Sequence, residues 1–129
     1  YNKPNPDGLT AHFHAIADEG GLPVVVYNVP GRTGLNALPE LVLRIAEHPR
    51  VVAVKEASGN LGQAMTIIRD RKPGFSVLAG EDDLTCAMTL MGGDGGYGTV
   101  FQLAIVPEPP SLPVTAGVLL ALALLRRFR

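Results

Sequence analysis

Two patterns alternate along the chain. Short, nearly continuous apolar runs, at Val24, Val25 and Val26, over residues 51–54 and over residues 76–79, are separated by stretches whose apolar residues recur every third or fourth position. The runs read as parallel strands, which are apolar throughout when both their faces are buried. Leu38, Leu41, Val42, Ile45 and Ala46 fall on a single helical face. Leu61, Ala64, Met65 and Ile68 repeat that spacing, as do Leu84, Ala87, Met88 and Met91, and Leu9, Phe13, Ile16 and Ala17 give a weaker version near the start. The predicted order is helix, strand, helix, strand, helix, strand, helix, then a glycine-rich turn and a last short strand over residues 98–103.

Repeated strand–helix units imply an α/β fold with a parallel sheet, either an open doubly wound sheet or a barrel. Periodicity does not choose between them. A complete eight-unit barrel takes about 250 residues, so a chain of 129 residues holds about half of one. The pattern ends near residue 103, which divides the chain into a barrel portion, 1–103, and a tail, 104–129. The tail opens with Val106-Pro107-Glu108-Pro109-Pro110, too rich in proline for a helix or a central strand. It continues through the uncharged residues 111–125, read as an apolar helix, to Arg126-Arg127-Phe128-Arg129.

Composition narrows the classes. With 47% hydrophobic and 18% charged residues, 15 Gly and 11 Pro, the chain is globular rather than disordered or collagen-like. The net charge of −1 provides no field for nucleic acid. It conceals an asymmetry, because all twelve acids but only eight of the eleven cations lie in residues 1–125, and three arginines close the chain. Cys86 is the only cysteine, which excludes an intrachain disulfide and fits a reducing, cytoplasmic compartment. The chain opens at Tyr1 with neither an initiator Met nor a signal segment and is expected to be a piece of something longer.

Chemistry is sought where parallel α/β folds place it, at the carboxyl ends of strands. Lys55 follows the 51–54 run. An amine partly desolvated by apolar neighbours gives up its proton more readily and can attack a carbonyl to form a Schiff base. A lysine that reaches solvent and pairs with Glu56 is the plainer alternative. Tyr27 ends the preceding strand, where a phenol can carry a proton to or from a bound intermediate, or can simply bury its ring and wet its hydroxyl. Arg32, in a loop stiffened by Pro30 and opened by Gly31 and Gly34, is either a bidentate carboxylate holder or a surface cation.

Other motifs carry less. Gly93-Asp94-Gly95-Gly96-Tyr97-Gly98 matches the dinucleotide spacing GxGxxG, but it follows a helix and opens none, so it reads as a tight turn. His12 and His14 are two apart on a helix and His48 stands alone, so no metal site is expected. Glu81, Asp82 and Asp83 read as acidic caps of the helix that follows the third strand.

Four segments in order, Tyr1-Asn2-Lys3-Pro4, Tyr27-Asn28-Val29-Pro30-Gly31-Arg32-Thr33-Gly34, Val54-Lys55-Glu56-Ala57-Ser58-Gly59 and Gly80-Glu81-Asp82-Asp83, resemble the 4-hydroxy-tetrahydrodipicolinate (dihydrodipicolinate) synthases. The resemblance covers about residues 1–96. It implies a partial (β/α)₈ TIM barrel and a Schiff-base lyase of lysine and diaminopimelate biosynthesis, in which a lysine imine of pyruvate condenses with aspartate semialdehyde without any cofactor. Carried over by position, Lys55 is the imine-forming lysine, Tyr27 the proton-transfer tyrosine, Arg32 the clamp for the aldehyde substrate's carboxylate, and Gly80 a glycine lining the pyruvate pocket. Tyr1 matches a tyrosine lent across a subunit contact, so a homo-oligomer is implied. The Pro30-Gly31-Arg32-Thr33 loop favours the synthases over the sialic-acid-lyase-like aldolases. The family's threonine pair would precede Tyr1, and the chain departs from the family pattern at Gly96-Tyr97-Gly98-Thr99-Val100-Phe101.

The tail resembles a PEP-CTERM sorting signal, which would imply export. Its fifteen uncharged residues reach about 22 Å as a helix, short of a hydrocarbon core of about 30 Å, and any membrane association would rest on residues 111–125 alone. A catalytically inactive half-barrel, and a surface-sorted protein whose tail is the working element, are the alternative readings.

Overall fold

A computed structural model describes residues 4–95. Helix α1 (Pro6–Gly20) leads into strand β1 (Val24–Asn28), the short helix α2 (Pro30–Thr33), α3 (Pro39–Ile45), β2 (Val51–Glu56), α4 (Leu61–Asp70), β3 (Ser76–Ala79) and α5 (Thr85–Leu90). Local chemistry sets the ends. Asn5 caps α1 by accepting a hydrogen bond from the Gly8 N–H at 2.7 Å, Pro6 occupies the first turn, and Gly21 at φ +67° closes the helix. Asn60 caps α4 in the same way, accepting from the Gln63 N–H at 3.0 Å.

The three strands lie in the order β1-β2-β3, all parallel. In β1 the core-facing residues are Val24, Val26 and Asn28, paired with Val51, Val54 and Glu56 of β2, so β2 holds one residue more than β1 between its first two core-facing positions. That bulge has a consequence for chemistry. Side chains alternate along a strand, and regular pairing from the core-facing Val51 would turn Lys55 toward the helices. The extra residue reverses the parity, so Val54 and Glu56 face the helices and Lys55 faces away.

Val26, Val42, Ile45, Val51, Val54, Ile67 and Val77 are fully buried and form the core between the helices and one face of the sheet. The other face carries Val25, Tyr27, Ala53, Lys55 and Leu78, and there Val25 is 49% and Tyr27 41% exposed. Continuous apolar character therefore does not mean burial on both faces here: β1 alternates. Helices on one face are the arrangement of a barrel wall, whereas a doubly wound sheet carries them on both.

Several expectations are corrected at the level of side chains. Ile16, Leu38 and Met65, placed on apolar helix faces by their spacing, are 42%, 55% and 49% exposed. In α4 the buried positions are Gln63, Ala64 and Ile67. The loop after Tyr27 contains the helical turn α2, whose Gly34 ends it at φ +67°. Asp82 and Asp83 lie within a 3₁₀ turn, Asp82–Leu84, and neither this turn nor α5 has a side-chain cap bond, so the acidic residues cap nothing.

Beyond α5, the Asp94 N–H donates to the Val77 carbonyl at 2.9 Å and the Ala79 N–H to the Gly95 carbonyl at 2.7 Å, which lays the chain along β3. The expected strand over 98–103, the end of the GxGxxG turn, the tail 104–129 and Tyr1 lie outside the described residues. Among the described residues no helix is long and apolar enough to cross a membrane.

Candidate active site at the strand carboxyl ends

The register places Tyr27 beside Lys55 and Lys55 beside Leu78, one rung from the carboxyl ends of the strands. The Lys55 Nζ lies 4.5 Å from the centroid of the Tyr27 ring, over its face. A cation there is held by the ring quadrupole, and the phenol hydroxyl lies at the ring's rim rather than beneath the amine. Lys55 is partly buried at the middle strand of the three. Glu56, the partner in the plainer alternative, is buried on the helix-covered face, opposite to the one that carries Lys55.

Behind this pair lies a polar cluster that hydrophobic periodicity does not reveal. Asn28, Glu56 and Gln63 are 3%, 4% and 6% exposed. The Asn28 Nδ2 donates to Glu56 Oε2 at 2.9 Å and to Oε1 at 3.2 Å, Gln63 Nε2 donates to Oε2 at 3.3 Å, and the Ser58 N–H donates to Oε1 at 2.8 Å. Asn36 exchanges hydrogen bonds with Gln63, at 3.0 and 3.1 Å. The cluster joins the ends of β1 and β2, the segment after α2 and the first turn of α4. Its signal was the polar partner in each motif pair, Asn28 after Tyr27 and Glu56 after Lys55.

Gly80 closes the end of β3. Its N–H donates to the Glu56 carbonyl at 2.7 Å, and a Cβ on it would lie 2.4 Å from the Ala57 Cβ and 2.9 Å from the Glu56 oxygen. Glycine is therefore required by close approach of two backbones. Gly80→Ala is expected to destabilise the chain by about 1–3 kcal/mol, the usual cost of overpacking, read as a lowered urea midpoint at unchanged slope.

Arg32 sits in α2, exposed, and its guanidinium forms no ion pair among the described residues. Lys55 and Tyr27 are thus brought together, Gly80 is one strand away, and no described contact joins Arg32 to any of them. His48 is not alone: its ring lies 5.2 Å from that of His14, centroid to centroid, its Nε2 bonds Asp18 Oδ1 at 3.0 Å, and its Nδ1 accepts the Arg50 N–H at 3.1 Å. These bonds occupy both nitrogens of His48. Among the described residues no group of three or more His, Cys, Asp or Glu side chains could hold a metal ion.

Parallel strand–helix units with helices on one face define the class: part of a (β/α) barrel, with an amine stacked on a phenol near the carboxyl ends of the strands on the other face. The chain belongs to the dihydrodipicolinate synthetase family, whose model matches residues 1–107. It is 50% identical over 109 residues to the 4-hydroxy-tetrahydrodipicolinate synthase of Maridesulfovibrio salexigens, a match covering 84% of this chain and 37% of that protein. Among solved structures, the dihydrodipicolinate synthase of Cyanidioschyzon merolae with lysine bound is 46% identical with a TM-score of 0.71, over 76% of this chain and 34% of that one. YagE, a prophage protein of the same family from E. coli K12 solved in complex with pyruvate, is 33% identical with a TM-score of 0.71, over 74% and 34%. The chain spans about a third of the length of the relatives it matches.

Proposed function

We propose that the chain carries the imine-forming part of a 4-hydroxy-tetrahydrodipicolinate synthase, acting on pyruvate and then on aspartate semialdehyde in the cytoplasm. The observation that supports this best is the Lys55 amine on the open face of the sheet, at the carboxyl end of its middle strand, against the ring of Tyr27.

The deprotonated Lys55 amine attacks the C2 carbonyl of pyruvate. A proton reaches the carbinolamine oxygen, for which the Tyr27 phenol is the nearby carrier, and water leaves to give the imine. Loss of a proton from C3 to solvent or a base gives the enamine. Its C3 then forms a bond to the aldehyde carbon of the second substrate as that C=O π pair moves onto its oxygen, which takes up a proton, and the nitrogen returns to the imine. Arg32, exposed and unpaired within the described residues, is free to hold that substrate's carboxylate in two hydrogen bonds. The imine takes the place of a cofactor. Gly80, matched by position to the family's pyruvate-pocket glycine, lets the end of β3 pack directly against Glu56 and Ala57 at the end of β2. Tyr1 would serve a neighbouring subunit of a homo-oligomer.

Borohydride reduction of the full chain with pyruvate, followed by peptide mass mapping, tests the reading. One reduced pyruvate is expected on the peptide containing Lys55. Folded protein that yields no adduct would overturn it in favour of the inactive half-barrel.

A further inference from the structure

The buried cluster behind the site has a polarity that can be worked out from backbone groups. The Ala37 N–H donates to Asn28 Oδ1 at 3.0 Å, which fixes that atom as the oxygen and turns Nδ2 toward Glu56. The Ala37 carbonyl accepts from Gln63 Nε2 at 3.2 Å, which fixes the Gln63 amide in the same way. The third donor to Glu56 is the backbone N–H of Ser58. Among the described residues every hydrogen-bond partner of the Glu56 side chain is therefore a donor, and both of its oxygens are used as acceptors, which suits an ionised carboxylate. An amide in its place has the same shape but the wrong polarity: whichever way it is turned, its NH₂ faces a donor, and a buried donor left unmatched is costly.

The cluster is also placed to control the open face. Asn28 and Glu56 are register partners, and each is the immediate neighbour of a residue of the proposed site, Tyr27 and Lys55. Successive side chains point to opposite faces, so a bond between Asn28 and Glu56 on the helix side sets the spacing and rotation of the strand ends that present Tyr27 and Lys55 on the other. Asn36 and Ala37 tie the segment following Arg32 to the same cluster through Asn28 and Gln63. We infer that Glu56 is a positioning residue: its carboxylate, held by Asn28, Gln63 and the Ser58 N–H, sets the approach of Lys55 to Tyr27. This rests on the imine-forming reading for its kinetic consequence, but not for its geometric one.

Two readouts on the full chain test it. The ring current of Tyr27 shifts the Lys55 ε-methylene resonances upfield in a carbon–proton correlation spectrum. Pyruvate trapping by borohydride gives a rate at saturating pyruvate. In Glu56→Gln the ring-current shift is expected to collapse toward the free-lysine value, and the trapping rate to fall by about tenfold or more, since small misplacements of reacting groups cost this much. Gln63→Met removes the longest of the donors to Glu56, together with the bonds of Gln63 to Asn36 and the Ala37 carbonyl, but leaves the Asn28–Glu56 bonds in place. It is expected to move both readouts in the same direction by less, which provides a second variant should Glu56→Gln fail to fold. A folded variant that keeps the wild-type shift overturns the inference, whether or not its trapping rate falls, because Glu56 would then not act through the Lys55–Tyr27 spacing. Failure of the imine reading shows separately, as a wild-type chain with the upfield shift but no adduct. Loss of stability alone leaves the shift of the folded protein unmoved.

Discussion

Lys55→Ala is expected to lose the pyruvate adduct altogether, with trapping reduced by about a thousandfold or more, the scale on which removal of a catalytic nucleophile acts. The chain has three lysines, Lys3, Lys55 and Lys72, so peptide mapping separates them without ambiguity. Lys72 is a natural internal control, because its Nζ donates to the His48 carbonyl at 3.1 Å, away from the Tyr27 ring. Lys55→Arg refines the test. A guanidinium keeps a cation over the ring of Tyr27 but does not form an imine under these conditions. Loss of the adduct in both variants, with the Arg variant retaining its melting temperature, would assign the loss to the amine and not to packing. An adduct forming at the wild-type rate on Lys3 or Lys72 in Lys55→Ala would show that the amine was wrongly chosen.

The strands and the principal helices were legible because hydrophobic period is what burial selects. The runs at 24–26, 51–54 and 76–79 became β1, β2 and β3, and Val42, Ile45 and Met88 are buried where their spacing put them. What periodicity could not show was which side of the sheet is covered. Val25 looks like a core residue in sequence and is 49% exposed, because α1, α3, α4 and α5 pack their buried residues against the other face. Nor could it show the extra residue in β2, since Val51, Val52, Ala53 and Val54 are all apolar and a bulge among them leaves no trace in a hydropathy pattern. Yet that bulge decides the side on which Lys55 emerges. The buried polar cluster was hidden for a related reason. Asn28, Glu56 and Gln63 look like surface residues, and only the fold reveals that Ala37 and Ser58 supply backbone groups to satisfy them.

Tyr27→Phe separates the two things that Tyr27 offers. The ring face holds the Lys55 ammonium and survives in phenylalanine, so the position of the amine and its affinity for pyruvate are expected to change little. The hydroxyl is lost. Because the side chain is 41% exposed and no described hydrogen bond uses its oxygen, the stability change should stay within about 0.5 kcal/mol. The rate of imine formation should nevertheless fall by about a hundredfold, the lower end of what a positioned proton carrier contributes, because carbinolamine dehydration needs a proton on the departing oxygen and water supplies it less effectively. A pre-steady-state trapping series over pyruvate concentration reads both quantities at once: a reduced plateau at unchanged half-saturation is the signature of proton transfer, whereas a raised half-saturation at unchanged plateau would make Tyr27 a binding surface only. The geometry favours the first result. An amine lying over the ring face has the hydroxyl to one side of it, so the oxygen of a carbinolamine built on Lys55 can project toward the phenol while the nitrogen keeps its place above the ring.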